Sequence, residues 1–222
     1  MEPIKTSPPM DVLWFRLPRI DGDPDGIAGR IGNGHILVML DRTEEWQIAF
    51  VIVKGSYHRI RQAGLAELKR IIADTAPELS NRVDTLKDWK QIAMLSVESS
   101  RLRKWYQPGL LLIGDAAHVM TPVGGVWINY AIQDAVVAAN VLREPLKEGR
   151  VQTSDLARIQ RKRALPTRFI QAFQALIQKR ILSNALDPTK PFRVPFFLRL
   201  PLFRRIPARL IAFGVWRVHV EK

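Results

Sequence analysis

The sequence contains no cysteine, and this absence removes several kinds of chemistry. A chain without thiols forms no disulfide, binds no zinc through cysteine and has no thiol nucleophile. Histidine is scarce as well, since only four occur among 222 residues, and their spacing fits no metal site. The Gly-x-Ser-x-Gly sequence of many serine hydrolases is also missing. We therefore expect no bound metal and no hydrolase chemistry.

Long hydrophobic runs are missing too. No stretch of about 18 apolar residues is present that could span a bilayer, and the first residues lack the apolar core of a secretory signal. Hydrophobic residues make up 47% of the chain and charged residues 25%, a composition typical of a globular protein. These features predict a cytoplasmic protein, with peripheral contact at a membrane surface as an alternative.

The net charge of +13 arises in the C-terminal part of the chain. Residues 158–222 contain 15 Lys and Arg against two acidic residues, whereas residues 1–157 contain 19 of each sign. Three interpretations remain open for this basic region: apolar residues packed on a sheet with arginines toward solvent, contact with an anionic membrane, or nucleic-acid binding. No nucleic-acid-binding motif supports the third interpretation, which is the least favoured.

Hydrophobic periodicity predicts the secondary structure. Strands are expected in four segments, residues 10–17, 35–40, 46–53 and 92–97. The polar residues between the second and third strands favour an antiparallel hairpin. Helices are expected in three segments, an amphipathic one at 57–75, a short one after Pro77, and a long one from Ser154 to about Leu186. Ser154 and Asp155 are expected to cap the long helix and Pro166 to bend it, and residues 21–34 are expected to form a turn-rich loop.

The most informative segment begins at Leu110–Ile113, four apolar residues that predict a buried strand. Gly-Asp-Ala-Ala-His follows at 114–118, then a loop with Pro122, and then apolar residues at helical spacing over 126–142. The N-terminus of a helix presents backbone amides to a ligand that carries negative charge. Asp115, at the end of the strand, is placed to accept hydrogen bonds from hydroxyl groups. These are the requirements of a flavin, which has ribityl hydroxyls and a ring that becomes anionic on reduction.

Gly-Asp-Ala-Ala-His, the following proline and a Gly-x-Gly-x-Asn-like turn at 125–129 resemble the second FAD-binding motif of the p-hydroxybenzoate hydroxylase-like, or class A, flavoprotein monooxygenases. The resemblance implies an α+β fold. It has a mixed or antiparallel substrate-domain sheet with helices, a returning strand-loop-helix of an α/β FAD-binding domain, and a helical basic C-terminal region. The expected boundaries are 1–98 for the substrate-binding part, 99–150 for the returning FAD-binding segment and 151–222 for the C-terminal region.

The resemblance also implies a function and a site. It implies an FAD-dependent oxidoreductase of the monooxygenase type that uses NAD(P)H as co-substrate and hydroxylates an aromatic or other apolar small molecule. The strands at 10–17, 35–40 and 46–53 would form the substrate floor, and no catalytic residue is assigned. The expected FAD contacts are Asp115, Pro122, Gly124, Gly125, Val126, Trp127, Ile128 and Asn129.

Three further side chains of the motif leave alternatives open. His118 is either a structural hydrogen-bonding residue, which we favour, or an acid or base. Asn129 either caps the helix or satisfies a flavin carbonyl. Asp134 lies near the start of the helix, where the helix dipole favours an acidic residue, and we interpret it as structural.

Two features of the sequence depart from the family pattern. No strand-GxGxxG-helix unit, which carries the ADP half of FAD, is present, and the glycine clusters at 21–23 and 29–34 predict turns. Trp127 stands where the family has a glycine that lets the backbone approach the ring, so its indole either stacks beside the ring or blocks it. The alternative function is therefore a catalytically inactive or split-gene fragment. Such a fragment needs a separate polypeptide with the GxGxxG half to bind FAD.

Overall fold

The computed structural model describes residues 1–32, 34–187, 214 and 216–221. Contacts between residues divide the chain into two compact units. We name the first the sheet unit, which among the described residues comprises Pro8–Val97 and residues 177–187. We name the second the motif unit, which among the described residues comprises Met1–Ser7, Glu98–Leu176 and residues 214 and 216–221. Strands and helices are numbered below in chain order.

The sheet unit is built on one antiparallel sheet of five strands, β2 (Met10–Pro18), β3 (Ile27–Gly32), β4 (His35–Asp41), β5 (Glu45–Val53) and β6 (Ala93–Leu95). The strands lie in the order β3-β4-β5-β2-β6. Its helices are α1 (Tyr57–Ala63) and α2 (Leu65–Thr75), followed by short 3₁₀ turns at Pro77–Leu79, Val83–Thr85 and Trp89–Gln91.

The core of the sheet unit lies between α2 and one face of the sheet. Leu13 and Phe15 of β2 lie opposite Phe50 and Ile48 of β5, and all four side chains are buried. Leu68 and Ile72, one turn apart on α2, pack in the same hydrophobic cluster. The period-2 pattern of the strands and the helical pattern of α2 thus cover each other's apolar faces. The predicted strands at 10–17, 35–40 and 46–53 and the β4–β5 hairpin are confirmed.

Three predictions for the sheet unit need correction. The expected loop at 21–34 contains β3, whose glycine-containing sequence gave a weak strand signal and which forms by pairing with β4 at the sheet edge. The expected single helix at 57–75 is two helices, because Gly64 between them has a φ of 93° that interrupts the helix. The strand predicted at 92–97 contracts to three residues, the number that pair with β2.

The motif unit contains a three-stranded antiparallel sheet in the order β1-β7-β10 and a short hairpin. The strands of the sheet are β1 (Pro3–Thr6), β7 (Ser99–Leu102) and β10 (His118–Val119), and those of the hairpin are β8 (Tyr106–Gln107) and β9 (Leu110–Leu111). The long helices are α3 (Trp127–Lys147) and α4 (Thr153–Ile177). A π turn at Gln178–Leu182 and the short α5 (Ser183–Ala185) follow α4 along the chain.

The predicted buried strand at Leu110–Ile113 is wrong in length and burial. Only β9 is extended and paired, and Leu110 is 46% exposed. Among the described residues its only strand partner is β8, so β9 belongs to a two-stranded hairpin and not to a larger sheet. The segment therefore presents apolar side chains at the surface of the motif unit.

The long C-terminal helix is confirmed with a different cap. The Gln152 amide, just before the helix, donates to the carboxylate of Asp155 at 2.9 Å. Asp155 in the first turn, rather than Ser154, therefore accepts the hydrogen bond at the start of α4. Pro166 lies buried within α4. The Pro-, Phe- and Arg-rich sequence at 188–213 lies outside the described residues. No helix within the described ranges is long and apolar enough to cross a membrane.

Candidate functional site

The turn Gly114–Ala116, named the Gly-Asp turn here, lies directly against α3. Gly114 has a φ of 56°, in the region that favours glycine. A Cβ atom placed on Gly114 would lie 3.2 Å from the Cβ of Ala131, tighter than side chains normally approach. Both the backbone angle and the contact with the helix therefore require glycine at this position.

The buried carboxylate of Asp134 holds the Gly-Asp turn in place. Its Oδ2 accepts a hydrogen bond from the Gly114 amide at 3.1 Å and lies 2.6 Å from Nε2 of His118. Its Oδ1 accepts from Nε of Arg163 at 2.7 Å. We name these four residues the Asp134 cluster. They connect the Gly-Asp turn, β10, α3 and α4, so one side chain fixes four segments of the motif unit.

Aromatic rings shield the Asp134 cluster from solvent. The guanidinium of Arg163, 1% exposed, lies 5.3 Å from the centre of the Tyr130 ring. The ring of His118, 2% exposed, lies 5.0 Å from that of Trp105. His118 lines neither of the two cavities described below, and its Nε2 faces Asp134. The structure thus supports the interpretation of His118 as a structural hydrogen-bonding residue.

The electrostatics of the cluster keep Asp134 ionised. Burial alone would raise the pKa of Asp134 by penalising its charged form. Hydrogen bonding and charge from His118, and then from Arg163, outweigh burial and hold the pKa of Asp134 below its ordinary value. A charged carboxylate is therefore the stable form of this side chain.

A cavity of about 480 Å³ opens beside the Gly-Asp turn within the motif unit. Its volume is within the range of small-molecule sites. Asp115, exposed on the turn, lines this cavity with mostly apolar neighbours. The lining residues are Met1, Pro3, Ser100, Leu102, Gln107, Leu110, Leu112, Asp115, Ala116 and Ala117. An exposed carboxylate against apolar walls can accept hydrogen bonds from the hydroxyls of a ligand seated there.

The glycine loop leads into the N-terminus of α3. Gly124 and Gly125 both have positive φ, 79° and 65°, and both are exposed. Gln174 of α4 supports this loop, because its Nε2 donates to the carbonyls of Thr121 and Val123. The exposed glycines thus come directly before the first turn of α3, and the N-terminus of a helix favours an anionic group.

The structure separates the eight predicted cofactor residues into two groups. Asp115 lines the cavity, and none of the seven residues from Pro122 to Asn129 does. Trp127 and Ile128 are 42% and 51% exposed at the start of α3, whereas the side chain of Val126 is buried beside Met120. Any contact from Val126 to a cofactor must therefore come from its backbone.

Sequence reasoning missed the residues that support the turn. Arg163 and Gln174 act from α4, and Ala131 packs on Gly114 from α3. Asp134 was expected to be structural, but through the helix dipole rather than through side-chain and backbone partners. Arg163 lies 29 positions from Asp134, and no local spacing signals such a pair.

The sheet unit has a cavity of its own, of about 530 Å³. It combines an aromatic wall, from Trp14, with polar groups such as Gln47 and the ion pair of Arg16 with Glu45 at 3.0 Å. The lining residues are Trp14, Phe15, Arg16, Leu17, Pro18, Glu45, Gln47, Thr85, Gln91 and Ala93. This cavity therefore joins an aromatic wall to charged and amide side chains.

The family of the chain follows from comparison with known proteins. Residues 19–170 match the model of the FAD binding domain family, and the chain belongs to this family. The curated relatives described next are monooxygenases, which together with the family match confirms the class A monooxygenase resemblance. The solved structures confirm the α+β fold.

Two curated relatives illustrate the sequence similarity. The 6-methylpretetramide 4-monooxygenase of Streptomyces rimosus is 30% identical over 207 residues, which cover 92% of this chain and 49% of the relative. The FAD-dependent monooxygenase SAT1 of Stachybotrys chartarum is 23% identical over 149 residues, 65% of this chain and 51% of the relative. The chain thus spans about half the length of the curated relatives it matches.

Two solved structures share the fold. PqsL, a probable FAD-dependent monooxygenase from Pseudomonas aeruginosa, aligns with a TM-score of 0.64 at 14% identity, over 84% of this chain and 51% of that one. HpxO from Klebsiella pneumoniae, solved with FAD and uric acid, aligns with a TM-score of 0.66 at 16% identity, over 95% and 53%.

Loss of the Asp134 charge is predicted to destabilise the motif unit. Asp134→Asn leaves the buried Arg163 without its counter-ion, and breaking a buried pair typically costs about 3–5 kcal/mol. Because the folded pKa of Asp134 is lowered, the contribution of its charge to stability is complete above its unfolded pKa of about 4. This contribution is lost as the pH falls through the pKa of Asp134 in the folded protein. Urea unfolding should show the largest difference between wild type and variant at neutral pH.

The matched control is Glu144→Gln, which neutralises a carboxylate on the same helix with a 62% exposed side chain. We expect this control to change the free energy of unfolding little at any pH. A difference between wild type and Asp134→Asn that stays constant from neutral pH to well below pH 4 would contradict the role of the ionised carboxylate.

A second prediction separates backbone strain from the contact with α3. Gly114→Ala and Gly109→Ala both place a side chain at positive φ, which costs about 1–2 kcal/mol. A Cβ at Gly109 meets nothing within 4 Å, whereas one at Gly114 meets Ala131. Gly114→Ala should therefore lower the free energy of unfolding more than Gly109→Ala. Equal losses in urea titrations would show that the close approach of α3 is unimportant.

Proposed function

We propose that this chain forms the part of an FAD-dependent monooxygenase that holds the ribityl chain and ring of the flavin. The observation that carries the proposal is the exposed carboxylate of Asp115 on a rigid turn beside a cavity. Membership of the FAD binding domain family supports the same cofactor. Asp115 would accept hydrogen bonds from ribityl hydroxyls. Gly124, Gly125 and the first amides of α3 would face the ring.

The bound flavin would supply the redox chemistry, with NAD(P)H as the source of electrons and O₂ as the oxidant. The residues of this chain would bind and orient it. The amides at the start of α3, together with the dipole of that helix, favour negative charge near the ring. Pro122 and Asn129 would shape the two ends of this loop. We assign no acid or base among the described residues.

The substrate is proposed to be an aromatic or other apolar small molecule bound on the sheet unit. The cavity with Trp14, Arg16 and Gln47 supports this assignment, because it joins an aromatic wall to polar groups. We further propose the three parts 1–98, 99–150 and 151–222 for substrate binding, the returning FAD-binding segment and the basic C-terminal region. We also propose a cytoplasmic location, as the sequence composition predicts.

A second candidate is a fragment that binds FAD only with a separate polypeptide carrying the GxGxxG half. Leu110 and Leu112 favour it, since they give the cavity an apolar wall with Leu110 46% exposed, and β9 pairs on one side only among the described strands.

Flavin titration of the purified chain tests the proposal. Saturable changes in flavin fluorescence are expected, with similar affinities for FAD and riboflavin, because the proposed contacts are to the ribityl chain and ring. Asp115→Ala should weaken both by about tenfold or more, the effect of losing a hydrogen bond to a charged group. The control Asp21→Ala removes an exposed carboxylate from the sheet unit and should leave both affinities unchanged.

The outcomes of this titration separate the two candidates. Absence of binding by a folded chain, with binding restored by a polypeptide that supplies the GxGxxG half, would favour the fragment. Binding of FAD that Asp115→Ala does not weaken would contradict the role given to Asp115.

Replacement of Trp127 tests the departure from the family's glycine. Trp127→Gly removes an indole that is 42% exposed at the start of α3, and it should raise the affinity for riboflavin by allowing the backbone closer to the ring. Ile128→Gly is the control, because it introduces glycine one position along the same turn without restoring the motif. Unchanged or weaker binding by Trp127→Gly in the fluorescence titration would count against a blocking indole.

A further inference from the structure

Helix α4 carries polar side chains on its buried face. Gln171 donates from Nε2 to the carbonyls of Ser100 and Val119, and Gln174 donates to those of Thr121 and Val123. Arg163 is buried on the same side through its bond to Asp134. These bonds fix the rotation of α4 about its axis, so the side chains on its opposite face are held outward.

The outward face of α4 is apolar along its centre. Leu165, Phe169 and Leu176 are 58%, 48% and 52% exposed, and Ala172 is exposed as well. Their spacing of four, three and four residues places all four on one stripe of the helix. The stripe lies opposite the face that packs in the motif unit, which buries Leu156, Ile159 and Ile170 together with the polar side chains described above. A row of exposed large apolar side chains indicates a surface that meets another apolar phase.

Positive charge surrounds this stripe. Arg158, Arg161, Lys162 and Arg168 are all exposed on α4. At the helical repeat, Arg161 and Arg168 lie along one border of the stripe and Lys162 along the other. The sequence contains no acidic residue between Leu156 and Leu186. The outward face therefore offers apolar side chains in the middle and cations at the rim.

We propose that this face of α4 binds an anionic lipid surface, an interaction beyond the proposed flavin chemistry. Leu165, Phe169 and Leu176 enter the boundary between headgroups and acyl chains, and the arginines and lysine contact lipid phosphates. A basic and apolar helix face that lies in the plane of the interface binds in this way, through apolar area and attraction to anionic lipid together. The helix rests on the surface and does not cross it.

The distribution of charge favours lipid over a second copy of the chain. If two copies packed stripe to stripe, the basic borders of one would lie close to the basic borders of the other, and like charges at such short range repel. Four side chains, one of them alanine, also form a narrow strip compared with the roughly 800 Å² that each partner buries in a stable interface. An anionic surface complements both the apolar centre and the cationic rim.

Vesicle co-sedimentation of the full chain tests the proposal. Binding is expected to vesicles of equal parts phosphatidylcholine and phosphatidylglycerol at low salt, with much weaker binding to pure phosphatidylcholine. The double variant Leu165→Gln, Phe169→Gln should weaken binding by about tenfold or more. Arg161→Gln and Arg168→Gln should each weaken it by about fivefold, and added salt should weaken it further.

Two control variants remove an exposed apolar side chain and an exposed positive charge outside α4. Ile27→Gln removes an isoleucine of the sheet unit that is 76% exposed, and Arg59→Gln removes an exposed arginine of α1. Neither should change vesicle binding. Because the substituted side chains are exposed, the variants should fold, and circular dichroism with thermal unfolding verifies this.

Three results would overturn the proposal. The first is vesicle binding that the α4 variants leave unchanged. The second is formation of a dimer in solution that the double variant abolishes, without any vesicle binding. That result would show that the face binds a second copy of the chain. The third is binding to an oligonucleotide that depends on the arginines and is insensitive to the double apolar variant, with no binding to vesicles.

Discussion

The ion pair and hydrogen bonds of Asp134 are the constraint on which the motif unit depends. A buried carboxylate costs free energy unless its oxygens are satisfied, and here the Gly114 amide, His118 and Arg163 provide partners. These partners come from separate segments of the chain. Ordering them together fixes the Gly-Asp turn against α3, and the resulting backbone angle at Gly114 places Asp115 at the surface of the cavity.

The two aspartates of the motif show how environment assigns different roles to one residue type. Asp134 is fully buried, and its carboxylate accepts hydrogen bonds from groups of the protein, the Gly114 amide and Arg163. Asp115 is exposed on the turn that Asp134 supports and lines the cavity. Asp115 is free to meet a ligand from a fixed position because its own backbone is held by the buried carboxylate. Preorganisation of this kind lowers the cost of ordering a binding group.

The sequence predicted the elements whose formation depends on residues close together in the chain. The alternating strands β2 and β5, the helix α3 and the Gly-Asp turn followed from periodicity and from the family motif. The strand β3 and the short β8–β9 pairing at Leu110 could not be predicted in this way, because each depends on the strand that lies beside it in the folded protein. The pair of Asp134 with Arg163 joins two helices across 29 positions, and the outward stripe of α4 depends on which face the fold buries. No window of sequence contains that information.

The proposed flavin contacts lie on two short segments of the motif unit, residues 114–117 and 122–129. Amide chemical shifts of the isotope-labelled chain, followed during titration with FAD, test this placement most directly. We expect saturable changes of amide chemical shift concentrated in these two segments, with the amide shifts of the sheet core unchanged. A folded chain whose largest shifts fall outside both segments, or which shows no saturable shift in either, would contradict it.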